Sequence, residues 1–183
     1  MVKRLLLLRH AKSGWDAPVA RDYDRPINER GKLASVAMGA YIRNRDIAVD
    51  AVVASPAVRV SETLDHFLPA AGLERLEAHW DRRIYLASAA SLIECVQDLP
   101  ESADNVLMSG HNPGLEDLIL DLVPDDGKNA ERDAVEQGFP TGALAMIEFD
   151  ADAWRDIGLG TGRLVGFTRP RDIDPALAGE DGD

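Results

Sequence analysis

The sequence contains almost no cysteine, since Cys95 is the one cysteine among its 183 residues. A single thiol excludes an intramolecular disulfide, and this fits a reducing compartment. No two histidines have the spacing of metal ligands on one helix face, and Cys95 lacks the second thiolate that structural zinc sites use. The sequence therefore predicts no zinc site.

Long hydrophobic runs and an excess of positive charge are also missing. No apolar stretch is long enough to cross a bilayer, and the four leucines after Lys3 and Arg4 are too few for a signal peptide. The chain has 20 basic and 32 acidic residues, so its net charge is −12. Such an acidic chain binds nucleic acid and anionic membranes poorly. We expect a cytoplasmic protein with neither partner, in which a local cluster of positive charge attracts any anionic ligand.

The most informative stretch runs from four consecutive leucines, residues 5–8, into Arg9 and His10. A short, continuously apolar run predicts a strand that is buried on both faces, as in a parallel sheet. Ligands of open α/β sheets bind in the crevice at the carboxyl ends of the strands. Arg9 and His10 are therefore expected at a binding crevice.

Strands and helices alternate along the rest of the chain, which predicts one α/β domain with three layers and a mostly parallel sheet. We assign the domain to residues 1–171 and expect an acidic, mobile tail at 172–183. The segment 125–140 is expected to be an irregular insertion. Further strands are predicted at 50–54, 73–80, 105–109, 143–149 and 164–168.

Capping residues and apolar periodicity predict the helices. Asn28 is a suitable N-cap, while Ser55-Pro56 and Asn112-Pro113 each read as a cap followed by an initial proline. The first helix is expected to bury one face formed by Leu33, Val36, Ala37, Ala40 and Tyr41. The later helices are expected to bury Val60, Leu64, Phe67 and Leu68, then Leu92, Ile93, Val96 and Leu99, then Leu115, Leu118, Ile119 and Leu122.

Basic side chains follow three of the predicted strands. Arg9 and His10 follow the first, Arg59 lies just after the second, and His111 follows the strand at 105–109. Each placement alone is typical of a solvated residue or a tight turn. If the strands are parallel neighbours, however, all four side chains meet where two helices also begin. Arginine forks and helix N-termini both bind anions, so the pattern predicts a site for phosphate or carboxylate.

Residues 8–12, 25–28, 55–63 and 109–113 resemble, in this order, the motifs of the histidine phosphatase (phosphoglycerate mutase-like) superfamily. Within that superfamily they are most similar to the small SixA-type phosphohistidine phosphatases. The resemblance extends from about residue 3 to residue 168, and it implies a phosphoglycerate mutase-like fold. The superfamily's usual Arg-His-Gly appears here as a variant that ends in Ala11.

The resemblance implies a phosphoenzyme mechanism. His10 would attack phosphorus as a neutral imidazole, held in one tautomer by a hydrogen bond at its other nitrogen, and water would hydrolyse the phosphohistidine. Arg9 and Arg59 would bind the non-bridging oxygens. His111, protonated in the complex, would donate to the same oxygens, and Arg25 would complete the pocket. The guanidinium groups supply the positive charge, so no metal or other cofactor is expected.

The substrate depends on the leaving group. Larger members of the superfamily carry a general acid, whereas the corresponding region here offers only Asp81 as an acid or substrate-binding residue. A phosphorylated imidazole leaves without such an acid, because its other nitrogen already carries a proton. We therefore expect a phosphohistidine-bearing protein as substrate and partner. A small-molecule phosphomonoesterase and a non-catalytic phosphate-binding module remain as alternatives.

Overall fold

The structure, a computed structural model, describes residues 1–19 and 21–178. Its strands are β1 (Val2–Arg9), β2 (Ala51–Ala54), β3 (Ala78–Trp80), β4 (Asn105–Gly110), β5 (Leu144–Asp150) and β6 (Gly162–Thr168). Its α-helices are α1 (Glu29–Asn44), α2 (Val58–Ala70), α3 (Ala89–Gln97), α4 (Gly114–Leu122), α5 (Ala130–Gln137) and α6 (Pro170–Ile173). Short 3₁₀ helices cover Asp22–Asp24, Arg82–Ile84, Trp154–Asp156 and Pro175–Leu177.

The six strands form one sheet in the order β3-β2-β4-β1-β5-β6. The pairs β3-β2, β2-β4 and β4-β1 are parallel, and β5 runs antiparallel to both of its neighbours. The α/β class and the mostly parallel sheet that the sequence predicts are therefore confirmed. None of the helices in the described part of the chain is long and apolar enough to cross a membrane.

The leucine run of β1 is buried on both faces, as its composition predicts. Leu5 and Leu7 belong to a core that includes side chains of α3 and α4, while Leu6 and Leu8 belong to a second core with side chains of α1 and α2. Successive side chains of a strand point to opposite faces of the sheet, so the leucines alternate between the two cores. The sheet is thus the middle of three layers.

The parallel register brings the carboxyl ends of β1, β2 and β4 to one edge of the sheet. Arg9 pairs with Gly110, and Ala54 pairs with Ser109. The backbone N–H of His10 donates to the carbonyl of Gly110 at 3.1 Å, which continues the alignment one residue past β1. Residues that follow these strands therefore converge at this edge.

The first helix differs from its predicted packing. Asn28 is its N-cap, as expected, and accepts a hydrogen bond from the Gly31 N–H. The predicted apolar face is wrong, however, since Leu33 and Val36 are exposed. The helix instead buries Gly31, Ala34, Ser35, Met38, Gly39 and Ile42. A Cβ on Gly31 would overlap the Lys12 carbonyl, and one on Gly39 would overlap the Phe67 carbonyl. Small residues occupy the buried face because backbone approaches it closely.

Other helix boundaries also differ from the sequence prediction. Helix α2 begins at Val58 and α4 at Gly114, so neither Ser55-Pro56 nor Asn112-Pro113 provides the predicted cap and first residue. The Asn112–Pro113 peptide bond is cis. The segment expected to be irregular contains α5, which is capped by the Asn129 side chain and anchored by buried Val135.

The end of the described chain is also helical. Helix α6 and the 3₁₀ helix at Pro175–Leu177 both contact α1. Residues 172–178, which the sequence analysis assigned to a mobile tail, therefore include the end of α6 and the whole of this 3₁₀ helix. The remainder of the predicted tail, residues 179–183, lies outside the described residues.

Candidate active site

His10 lies immediately after β1 and is 6% exposed. Its Nδ1 is 2.8 Å from the carbonyl oxygen of Ala11. A carbonyl can only accept, so Nδ1 carries the hydrogen of the neutral ring and Nε2 keeps its lone pair. Burial, together with the charges of Arg9 and Arg59, holds the pKa of His10 well below its usual value. The Nε2 atom of His10 is therefore available as a nucleophile at neutral pH.

A buried threonine connects the loop of His10 to helix α2. The Thr63 hydroxyl accepts from the Ala11 N–H at 2.9 Å and donates to the Arg59 carbonyl at 2.6 Å. Thr63 is 1% exposed. It therefore couples the residue that fixes the His10 ring to the helix turn that carries Arg59. The sequence analysis did not identify Thr63, although it lies within the 55–63 motif.

Arg59 is held from the first turn of α2 and is 3% exposed. Its guanidinium donates to the Asp22 carbonyl oxygen at 2.8 Å and to Asp22 Oδ2 at 3.0 Å. The Tyr85 hydroxyl donates to the same carboxylate oxygen at 2.9 Å. Neither Asp22 nor Tyr85 was identified from the sequence, because no motif or spacing linked their loops to α2.

The carboxyl group of Asp22 is ionised at neutral pH. Burial raises its pKa, but the hydrogen bond from Tyr85 and the charge of Arg59 outweigh this effect and leave the pKa below its usual value. An ionised carboxylate orients cationic side chains well but is a poor proton donor. Asp22 can thus hold Arg59 in place but is badly suited to act as a general acid.

His111 follows β4 and is 3% exposed. Its Nε2 is 2.7 Å from the Ser55 hydroxyl oxygen, and its ring centroid is 5.4 Å from that of His10. Burial and the charge of Arg59 lower the pKa of His111 to about 3, so the ring is neutral at pH 7. The protonated form expected from the resemblance would need the opposing charge of a bound phosphate.

Arg9 and Arg25 line the same cavity as the two histidines. The Arg9 guanidinium donates to the Phe139 carbonyl at 3.0 Å. The Arg25 guanidinium lies 3.8 Å from the centre of the Trp15 ring, and its Nε is 3.5 Å from Asp22. Stacking on an aromatic face holds a guanidinium while leaving its N–H edge available to hydrogen-bond acceptors.

These side chains surround a single cavity of about 230 Å³. The sequence analysis named six site residues, and five of them line this cavity: Arg9, His10, Arg25, Arg59 and His111. Within the described chain, the one carboxylate that lines the cavity is that of Asp22.

Asp81 is the predicted residue that does not join the others. Its carboxylate accepts a hydrogen bond from the backbone N–H of Arg83 and forms an ion pair with the guanidinium of Arg83 at 2.7 Å. It does not line the cavity. Across residues 1–19 and 21–178, no three His, Cys, Asp or Glu side chains are grouped as a metal site requires.

Known proteins resemble this chain in sequence and in fold. The family model of the histidine phosphatase superfamily (branch 1) matches residues 5–84. An uncharacterized protein of Mycobacterium tuberculosis is 33% identical over 165 residues, which cover 90% of this chain and 100% of that protein.

Two solved structures have the same fold. One is a candidate phosphohistidine phosphatase, SixA, from Nakamurella multipartitia, with a TM-score of 0.80 and 28% identity over 93% of this chain and 97% of that one. The other, from Agrobacterium tumefaciens, has a TM-score of 0.76 and 27% identity over 92% and 98%. The family model and the Mycobacterium tuberculosis relative, together with these two structures, establish that the chain belongs to the histidine phosphatase superfamily and is of the SixA type.

Proposed function

We propose that this protein is a metal-independent phosphatase that removes phosphoryl groups from phosphohistidine in a protein, through a phosphohistidine intermediate on His10. The observation that carries the proposal is the state of the His10 ring, which is neutral and fixed by the Ala11 carbonyl with Nε2 unprotonated. Membership of the histidine phosphatase superfamily supports phosphatase activity.

The basic side chains around His10 have the chemistry that phosphoryl transfer needs. Arg9 and Arg59 would bind the non-bridging oxygens, and their charge would stabilise the transition state without a metal ion. His111 would be a further donor, and Arg25 would complete the binding site. A bound phosphate would also raise the pKa of His111 from about 3, since an adjacent anion favours the protonated ring.

Among the described residues that line the cavity, none is suited to act as a general acid, and this supports phosphohistidine over an alkyl phosphate. Asp22 is ionised, and Asp81 is paired with Arg83 outside the cavity. Expelling an alkoxide calls for a general acid that contributes about a hundredfold or more. An imidazole leaving group that already carries a proton on its other nitrogen departs as a neutral molecule, so it needs no such acid.

Rapid-quench labelling tests the proposal. The protein is mixed for milliseconds with a ³²P-phosphohistidine protein or, separately, with a panel of ³²P-labelled sugar phosphates, and then denatured in alkali. We expect an acid-labile label from the phosphohistidine donor, absent in His10→Ala and retained in His66→Ala, since His66 does not line the cavity. Labelling from sugar phosphates alone would instead identify a small-molecule phosphomonoesterase. Binding without any label would identify a phosphate-binding module.

A further inference from the structure

The side chain of Ser55, which directly follows β2, is buried against one of the two histidines. Ser55 is 0% exposed and does not line the cavity of His10. Its hydroxyl oxygen accepts a hydrogen bond from the Ala57 N–H at 3.4 Å and lies 2.7 Å from Nε2 of His111. The contact with His111 is the closer of the two, and the position of its hydrogen decides what the imidazole ring can do.

Two arrangements of hydrogen fit the contact between Ser55 and His111. In the first, the Ser55 hydroxyl donates to an unprotonated Nε2, and the hydrogen of the neutral ring lies on Nδ1. In the second, the Nε2–H group donates to the Ser55 oxygen, and Nδ1 holds a lone pair. The hydrogen bonds of the described residues give the Ser55 hydroxyl no acceptor besides Nε2, and they give Nδ1 no partner. The first arrangement therefore leaves one buried polar group unpaired, whereas the second leaves two.

The number of unpaired groups favours the first arrangement, because each buried donor or acceptor without a partner destabilises the fold. A doubly protonated ring is not available to the free protein. His111 is 3% exposed, and burial together with the charge of Arg59 lowers its pKa to about 3. The ring is therefore neutral with its hydrogen on Nδ1, and this N–H is a buried donor that lacks an acceptor within the described chain.

The surroundings of the ring indicate which acceptor the Nδ1–H group serves. His111 lines the cavity of His10, and the two ring centroids are 5.4 Å apart. Ser55 holds Nε2 from outside the cavity lining. Nδ1 is thus the ring nitrogen that is left for a group bound beside His10. A phosphoryl oxygen fits this place, since it is an anionic acceptor that forms strong hydrogen bonds with N–H groups.

We propose that Ser55 is a positioning residue that fixes His111 as the Nδ1–H tautomer, so that the neutral ring donates to a non-bridging oxygen of the phosphoryl group at His10. This inference rests on the proposed function, because it assumes that His10 receives that group. His111 then needs no added proton to act as a donor, in contrast to the protonated form that the resemblance implies. The donor is in place before the substrate binds, as electrostatic stabilisation of a transition state requires.

Long-range ¹H–¹⁵N NMR spectra of the ¹⁵N-histidine-labelled protein test the tautomer, because they distinguish a protonated ring nitrogen from an unprotonated one. The signals of His111 are identified by their loss in His111→Asn. We expect a protonated Nδ1 and an unprotonated Nε2 in the wild type at neutral pH, both alone and with inorganic phosphate. In Ser55→Ala the Nε2–H form should become populated, since free histidine prefers it. A wild type with Nε2 protonated, or a Ser55→Ala spectrum equal to that of the wild type, would overturn the inference.

Two matched variants test the consequence for the reaction. Ser55→Thr keeps the hydroxyl group, whereas Ser35→Ala removes a similarly buried serine hydroxyl from α1, outside the cavity. Loss of a preorganised donor costs about a hundredfold or more in kcat, and Ser55→Ala keeps the ring but not its tautomer, so we expect a loss of about tenfold. Ser55→Thr should keep the tautomer of the wild type, and Ser35→Ala should keep its kcat. Equal kcat values for Ser55→Ala and the wild type would overturn the positioning role.

The spectra need no turnover, so they separate this inference from the proposed reaction. The expected tautomer in a wild type that hydrolyses no phosphohistidine protein would reject the proposed function and retain the role of Ser55 toward bound phosphate. Hydrolysis by a wild type with a protonated Nε2 would reject the role of Ser55 alone. The wild-type spectra also decide the tautomer where Ser55→Ala destabilises the fold.

Discussion

Thr63→Val removes a hydroxyl group that joins the nucleophile's loop to helix α2, while it changes the shape of the side chain very little. In the wild type this hydroxyl accepts from the Ala11 N–H at 2.9 Å and donates to the Arg59 carbonyl at 2.6 Å. The variant leaves the Ala11 N–H without its acceptor in a buried position. Such a loss costs about 1–3 kcal/mol of unfolding free energy. For a protein of this size it lowers Tm by about 2–12 °C.

The same substitution is expected to affect catalysis through position. The Ala11 carbonyl fixes the His10 ring, so a looser Ala11 allows the nucleophile to move relative to Arg59. A misplacement of this kind typically costs about ten- to a hundredfold in rate. We expect the loss in kcat rather than in KM, because the phosphate-binding arginines remain.

Thr63→Ser is the matched control, because it keeps the hydroxyl and loses only a methyl group. Urea unfolding gives the stability of both variants, and hydrolysis of a phosphohistidine protein below the Tm of each gives kcat and KM. The reasoning is refuted if Thr63→Val and Thr63→Ser are equally stable and equally active. A variant with lower stability but unchanged kcat would reject only the positioning role.

Four further substitutions test other parts of the structure. Gly31→Ala places a Cβ against the Lys12 carbonyl and should lower the free energy of unfolding by about 1–3 kcal/mol in urea. Gly158→Ala, where no atom lies within 4 Å of the added carbon, should change it by less than about 0.5 kcal/mol. His111 makes the free energy of unfolding of the wild type fall by about 2 kcal/mol between pH 7 and pH 5, and urea unfolding of His111→Asn at the two pH values should show a fall that is smaller by this amount. The reason is that a buried ring with a pKa of about 3 stays neutral in the folded protein while the unfolded chain takes up the proton near 6.5. Asp81→Asn should keep kcat/KM for a phosphohistidine protein within about twofold of the wild-type value, because the Asp81 carboxylate is paired with Arg83 outside the cavity. A larger loss would show that Asp81 takes part in the reaction.

The fold and the convergence of the basic residues could be predicted because they follow from local patterns. Four consecutive leucines require a strand that is covered on both sides, and polar residues directly after such strands meet at one sheet edge. His10 and His111 therefore came together although about a hundred residues separate them. The amphipathic patterns of α2 and α4 also succeeded, since the side chains they predicted to be buried are buried.

The packing of α1 could not be predicted, because apolar residues were taken as a guide to its buried face. That face approaches backbone at Gly31 and Gly39, where only a hydrogen fits, so the larger Leu33 and Val36 lie outside. Hydrophobic periodicity indicates which side chains gain free energy when they leave water. It contains no information about how closely a neighbouring element approaches the helix. The close approach of the Lys12 carbonyl to Gly31 and of helix α2 to Gly39 decided the face.

The residues that organise the site were missed for a related reason. Asp22, Thr63 and Tyr85 act by hydrogen bonds across long sequence separations. Thr63 lies within the 55–63 motif, but the sequence does not show that its hydroxyl meets the Ala11 N–H, and no motif contains Asp22 or Tyr85. Arg59 could be identified by its motif, but the carboxylate that orients it lies 37 residues earlier, in a loop without regular sequence pattern. Such hydrogen-bond partners can be identified only from the three-dimensional positions of the segments that carry them.

The distribution of charge has a consequence for how an anionic substrate reaches the site. With a net charge of −12, the protein repels anions at long range, but salt screens this repulsion beyond about 8 Å at physiological ionic strength. Inside that distance the local charges dominate, and among the described residues that line the cavity of His10 they are mainly basic, with Asp22 as the one acid. An anion is therefore attracted only once it is near the arginines, whereas elsewhere the acidic surface rejects it.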